Sequence, residues 1–122
     1  MLVVNRFRLH DPDRESARPE DPKEFLAEGS KALEALGQCS GFQTGRLARA
    51  VDEPQTWVML TEWDNIGSYR RALSSFQVKM CTPFLSRAEP EASGFEVLAY
   101  ADSDGGTHLL DSDLASEGNL AT

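Results

Sequence analysis

Apolar and polar positions alternate or recur along this chain in a way that marks out its elements. In MLVVNRFRL, residues 1–9, Val3, Asn5, Phe7 and Leu9 share one face and Leu2, Val4, Arg6 and Arg8 the other, the two-residue period of a strand. Residues 10–20 are polar and carry two prolines, so they read as a loop. Asp21-Pro22-Lys23-Glu24 then opens a helix: the aspartate caps free N–H groups, proline suits the first turn, and Glu24 can reach back to the cap. Phe25, Gly29, Ala32, Leu33 and Leu36 recur at helical spacing, and Gly37 ends the run.

Residues 41–51 predict a strand that bends at Gly45, and Asp52–Gln55 a turn. Residues 56–63, TWVMLTEW, give the clearest strand, with Trp57, Met59, Thr61 and Trp63 on one face and Val58, Leu60 and Glu62 on the other. Asp64 is expected to cap a short helix carrying Ile66, Tyr69, Arg70 and Leu73. A second helical piece, FQVKMCTPFLSRA, is expected to break or kink at Pro83. Residues 95–101 are expected to form the last strand. The order β-α-β-β-α-α-β over residues 1–101 predicts an α+β, ferredoxin-like domain: four antiparallel strands with helices on one face. Residues 1–5 and 56–60 are apolar on both faces, so the face without helices needs a cover, and a second copy of the chain is the simplest one.

Composition narrows the function classes. At 122 residues, 40% of them hydrophobic, the chain suits one domain with an adequate core. The net charge is −8, and Asp102, Asp104, Asp111, Asp113 and Glu117 place −5 of it in residues 102–122, which have no Lys or Arg. This acidic tail is expected to be weakly structured or to pack on a partner subunit, with Gly105-Gly106 marking flexibility. There is no basic stripe for nucleic acid, no attraction to an anionic membrane and no run of about 20 apolar residues. Residues 1–13 lack the pattern of an export signal, which points to a cytoplasmic protein in which Cys39 and Cys81 stay free thiols. His10, in HDPD, and His108 have no companions at ligand spacing, so no metal site is expected. Dinucleotide fingerprint, P-loop and nucleophile elbow are all missing.

The segment GFQTGRLARAVDEPQTWVMLTEWDNIGSYRRAL resembles the antibiotic biosynthesis monooxygenase family of dimeric α+β barrels. The features shared are a Gly-Phe pair opening the second strand, a strand ending in Trp, an acidic residue starting the next helix, and an aromatic six residues after that Trp. Here they are Gly41, Phe42, Trp63, Asp64 and Tyr69. The resemblance covers residues 1–101 and implies a homodimer in which two sheets face each other.

It also implies a cofactor-independent monooxygenase acting on a polyphenolic aromatic molecule, with no cofactor needed. Asn5, Trp63 and Tyr69 are the implied catalytic residues, and Phe7, Trp57, Met59 and Arg70 are expected to contact the substrate. Some relatives place an Asn four residues before the Trp to hold a substrate oxygen; Met59 stands there in this chain, and their later Arg has no counterpart. A haem-degrading branch shares a first-strand Asn, which Asn5 matches. It needs a second-helix His, though, and SSFQVKMCTPFL has none, while its distorting Trp is replaced near Ala72, so haem degradation is disfavoured. Asn5 is the most informative residue, because an amide on an apolar strand face must find partners, and it can aim a donor at a carbonyl or phenolate. The alternative reading is a non-catalytic dimer that binds a small molecule or acts as an accessory protein.

Overall fold

The computed structural model describes residues 1–9 and 21–112. Its elements run β1 (Leu2–Arg8), α1 (Pro22–Gly37), β2 (Phe42–Arg49), β3 (Thr56–Trp63), α2 (Ile66–Ala72), α3 (Phe76–Lys79), α4 (Thr82–Leu85), β4 (Gly94–Phe95), β5 (Ala99–Ala101) and β6 (Thr107–Leu109). The first four strands form one antiparallel sheet in the order β2-β3-β1-β4, the ferredoxin-like arrangement expected. Residues 10–20, including His10 and the HDPD segment, and residues 113–122 of the acidic tail lie outside the described residues.

Strand alternation sets the layers. Along β3, Trp57, Met59, Thr61 and Trp63 are buried while the residues between them are only half-buried. β1 lies against it in register, with Val3 opposite Thr61, Asn5 opposite Met59 and Phe7 opposite Trp57, so all of these face the helices. The core is this sheet face packed against Phe25, Ala32 and Leu36 of α1, Ala72, Val78 and Phe84. Leu2, Val4, Val58 and Leu60 point the other way and stay half-exposed.

Asp21 caps α1 as expected, its carboxylate accepting from the Lys23 N–H at 2.9 Å. For α2 the cap is Asn65, not Asp64. Asn65 is in extended backbone, and its side-chain oxygen accepts from the Ser68 N–H at 2.8 Å. Asp64 is committed elsewhere: its N–H donates to the Gly41 carbonyl at 2.8 Å, and its carboxylate accepts from the Gln43 amide at 2.8 Å. Gly41 has φ of +89°, and a Cβ there would overlap the Ser68 side chain, so the turn into β2 requires glycine. The sheet irregularity falls between Phe42 and Thr44, not at Gly45, because the chain is still leaving that turn.

The C-terminal end differs most from expectation. Residues 95–101 do not form one strand: Gly94–Phe95 pairs with Leu2 and Val3 of β1, and Ala99–Ala101 separates to pair with Thr107–Leu109. Gly105 and Gly106, both at positive φ, make the turn of that hairpin, with the Asp104 N–H bonded to the Asp102 carboxylate at 3.1 Å. Tyr100 and His108 stack across it, 4.7 Å between ring centroids. The glycine pair is therefore the turn of a hairpin rather than a flexible stretch.

Candidate functional site

A cleft of about 280 Å³ lies between the sheet and the helices. Asn5 rises into it from the sheet, and Tyr69 and Leu73 enter from α2 and its end. Leu36, Val78 and Leu85 supply apolar wall, while Thr82 and Ser86, both exposed, carry hydroxyls at the mouth. The break before Pro83 makes this opening. α3 ends at Lys79 and α4 starts afresh at Thr82, so the chain turns instead of continuing one rod over the sheet.

Asn5 and Tyr69 are coupled. Burial of the Tyr69 phenol pushes its pKa above the ordinary value of 10, and a side-chain hydrogen bond with Asn5 pulls the other way by favouring the phenolate. Burial wins, so at neutral pH Tyr69 is a neutral hydrogen-bond donor and not a base. Trp63 lies behind Tyr69, with ring centroids 5.5 Å apart at 61°, and Phe42 meets Trp63 edge-on at 5.2 Å. The Trp63 indole N–H donates to Thr61 Oγ1 at 2.8 Å in a buried bond. Trp63 is thus wholly buried and its polar atom is used; it fixes the Tyr69 ring from behind and does not line the cleft.

The other sequence-predicted residues are placed apart. Met59 is fully buried directly across from Asn5 on the neighbouring strand. Phe7 and Trp57 sit in an aromatic core cluster with Phe25 and Phe84, centroids 4.9–5.5 Å apart, farther along the strands. Arg49 covers the Trp57 ring at 5.4 Å. Arg70 is exposed and faces a second, wider groove that also borders Tyr69. Sequence reading did not single out Leu73, Val78, Thr82, Leu85 or Ser86 as cleft residues. The available signals were the Thr82-Pro83 step and the four-residue spacing of Thr82 and Ser86, which puts both on one helix face. Among the described residues, no group of three or more His, Cys, Asp or Glu is placed to hold a metal ion, and no helix is long and apolar enough to cross a membrane.

Fold and site together define a ferredoxin-like α+β domain with a ligand-sized cleft between sheet and helices. The chain belongs to the antibiotic biosynthesis monooxygenase family, whose model matches residues 2–81. Similar solved structures include SnoaB, a cofactor-independent oxygenase from Streptomyces nogalater, at 19% identity over 93% of this chain and 95% of that one, with a TM-score of 0.60. A conserved protein from Methanosarcina mazei Go1 is 22% identical over 76% of this chain and 84% of its own, with a TM-score of 0.58. Rv0793 from Mycobacterium tuberculosis is 14% identical over 85% and 97%, with a TM-score of 0.57. At such identities the likeness is one of fold. No curated protein matches the chain.

The family signature has a structural meaning here. Gly41 bonds Asp64 and makes room for Ser68, Phe42 wedges Trp63, and Trp63 backs Tyr69. The five residues form one brace that sets where the Tyr69 hydroxyl stands.

Proposed function

We infer that this protein is a cofactor-independent monooxygenase for a hydroxylated aromatic small molecule. The observation that carries this reading is the meeting of Asn5, from the sheet, with Tyr69, from α2, at one largely apolar cleft. A cleft of this size accommodates about two to three fused rings at the packing density of protein interiors. An electron-rich phenol or anthrone supplies its own electrons to oxygen once it is deprotonated. The protein's share is to favour the anion, exclude water and hold the ring still.

The balanced reaction at a methylene flanked by two rings is a four-electron oxidation. Two hydrogens leave the carbon and one atom of O₂ arrives as the carbonyl oxygen. The second oxygen atom leaves with the two hydrogens as water. The Asn5 amide N–H and the neutral Tyr69 O–H are the donors proposed to meet the substrate oxygen as its charge develops, deeper than the Thr82 and Ser86 hydroxyls at the mouth. Asn5 and Tyr69 are the proposed catalytic residues, and Trp63 positions Tyr69. Phe7, Trp57 and Met59 act through the rigidity of the sheet beneath.

The half-exposed apolar row Leu2, Val4, Val58 and Leu60 supports a homodimer, sheet against sheet. Oxygen uptake with dithranol, in buffer free of flavin and containing chelator, tests the activity. The expected result is consumption above the spontaneous rate, one O₂ per quinone formed.

A second reading, a non-catalytic binding protein, is favoured by one observation: no carboxylate, histidine or lysine is among the residues lining the cleft. Uptake no faster than in buffer, together with saturable binding of the same compound, would establish it.

A further inference from the structure

Tyr69 borders two spaces. A second, wider groove of about 750 Å³ opens on the other side of α2, and Tyr69 and Leu73 line both spaces. The outer groove is walled mainly by apolar side chains, among them Phe95 and Leu98 at the start of the C-terminal segment. Its charged lining side chains are Arg70 and Glu96; Met1 also lines it, and its terminal ammonium donates to the Trp63 carbonyl at 3.2 Å.

In this acidic chain 20 carboxylate residues face 12 lysines and arginines, and among the described arginines Arg70 shares its lack of a partner only with Arg46, which lies on β2 and does not line the groove. Arg6, Arg8 and Arg87 make ion pairs, Arg49 donates to the Pro54 carbonyl, and Arg71 donates to Ser68 Oγ. Arg70 makes no ion pair or hydrogen bond with any of the described residues. Glu96 shares its groove and does not pair with it; the Glu96 carboxylate accepts from the Ser112 hydroxyl at 2.8 Å instead. An unpaired guanidinium at the open end of an apolar groove, next to a carboxylate already engaged, leaves the groove with a free site for an anion.

Building on the reading of the inner cleft as a site for a hydroxylated aromatic, we propose that the outer groove is the second half of the same substrate site. In this arrangement Arg70 selects substrates with a carboxylate on the part that extends past Tyr69. The reacting ring occupies the inner cleft between Asn5 and Tyr69, and the remainder passes over Leu73 into the outer groove. Arg70 is thus a specificity residue: it touches the substrate at a distance from the reacting carbon, and it changes affinity without changing the chemistry.

The test is anaerobic binding, which needs no turnover, of two probes that differ by one carboxylate: dithranol and rhein anthrone. The wild-type chain should bind rhein anthrone about twofold to fivefold more tightly at low ionic strength, the range for a solvent-accessible charge pair, and the preference should shrink as salt is added. Arg70→Gln should abolish the preference, so that the two probes bind with the same affinity, while Arg70→Lys should keep part of it. Equal binding of both probes by the wild type, or a preference that survives Arg70→Gln, would overturn the proposal. If dithranol is still oxidised in air in that case, the monooxygenase reading stands without it. Binding of neither probe would overturn both.

Discussion

Trp63 presents its indole to the edge of Tyr69, 5.5 Å between centroids, while its own N–H is satisfied inside the core by Thr61. The relationship makes one residue of the family signature a support for another. The strand-ending Trp backs the helix-borne Tyr, which is hydrogen-bonded to Asn5, and the proposed chemistry rests with that pair. Trp63→Phe should therefore keep the fold, costing about 1 to 3 kcal/mol in urea unfolding. It should also lower activity by loosening Tyr69. A weaker near-ultraviolet circular dichroism band of tyrosine, together with reduced oxygen uptake with dithranol, checks the second effect.

Tyr69 should ionise above pH 10, because burial outweighs its bond to Asn5. A spectrophotometric alkaline titration should lose one step above pH 10 in Tyr69→Phe. The same shift couples to stability. A folded-state pKa above the unfolded value leaves the contribution whole below pH 10, and it is lost as pH rises toward the folded value. Tyr69→Phe should flatten that alkaline decline.

Asn5 acts on the same titration in the opposite sense. It favours the phenolate, so Asn5→Ala should move the Tyr69 ionisation further up. Movement downward, or none, would show that the two side chains are not coupled.

Gly41→Ala should destabilise the protein by about 2 to 4 kcal/mol, since it combines a positive φ with overlap against Ser68. The urea midpoint measures this. Phe84→Ala should cost a similar amount, about 3 to 5 kcal/mol, because Phe84 anchors α4 on Phe7 and Phe25. Phe76→Ala, only a few residues away but 71% exposed, should change stability by no more than about 0.5 kcal/mol.

Leu60→Glu places a charge in the middle of the half-exposed apolar row on the free sheet face. The wild type should sediment as a dimer at micromolar concentration and the variant as a monomer. A monomeric wild type would contradict the sheet-to-sheet pairing.

Much of this fold was legible from alternation alone. β3 is legible at residues 56–63 from its run of apolar and aromatic residues after the Asp52–Gln55 turn, and the structure buries the face carrying Trp57, Met59, Thr61 and Trp63; α1 is legible because Asp21-Pro22 starts it and Gly37 ends it. The errors came where local signals were nearly equal or partners were distant. Asp64 and Asn65 are both good caps, and the choice between them was made by Gly41 and Gln43, some 20 residues earlier in the chain. Residues 95–101 look like one strand locally, yet only Phe95 among them pairs with β1, beside Gly94, before the chain leaves to form its own hairpin.

The site was legible in part. Asn5 stood out as a polar residue on an apolar face, and Tyr69 stood out by its spacing from Trp63. Both line the cleft. Phe7 and Trp57 share strand faces with them but lie further along, where α1 and α4 close over the sheet. Face periodicity gives direction and not distance along a strand, so it could not separate cleft from core. The wall contributed by Val78, Leu85 and Ser86 depends on how three short helical turns pack, which no single-residue pattern encodes.

In the proposed reaction Asn5 and Tyr69 together stabilise an ionised substrate oxygen. The most direct measurement is the ionisation of dithranol bound anaerobically to the protein, followed by its visible spectrum across pH. The bound phenol should ionise at lower pH than it does free in water, and Asn5→Ala should remove most of that shift. A bound phenol that ionises at the same or higher pH than in water, or a downward shift that persists in Asn5→Ala, would contradict the account.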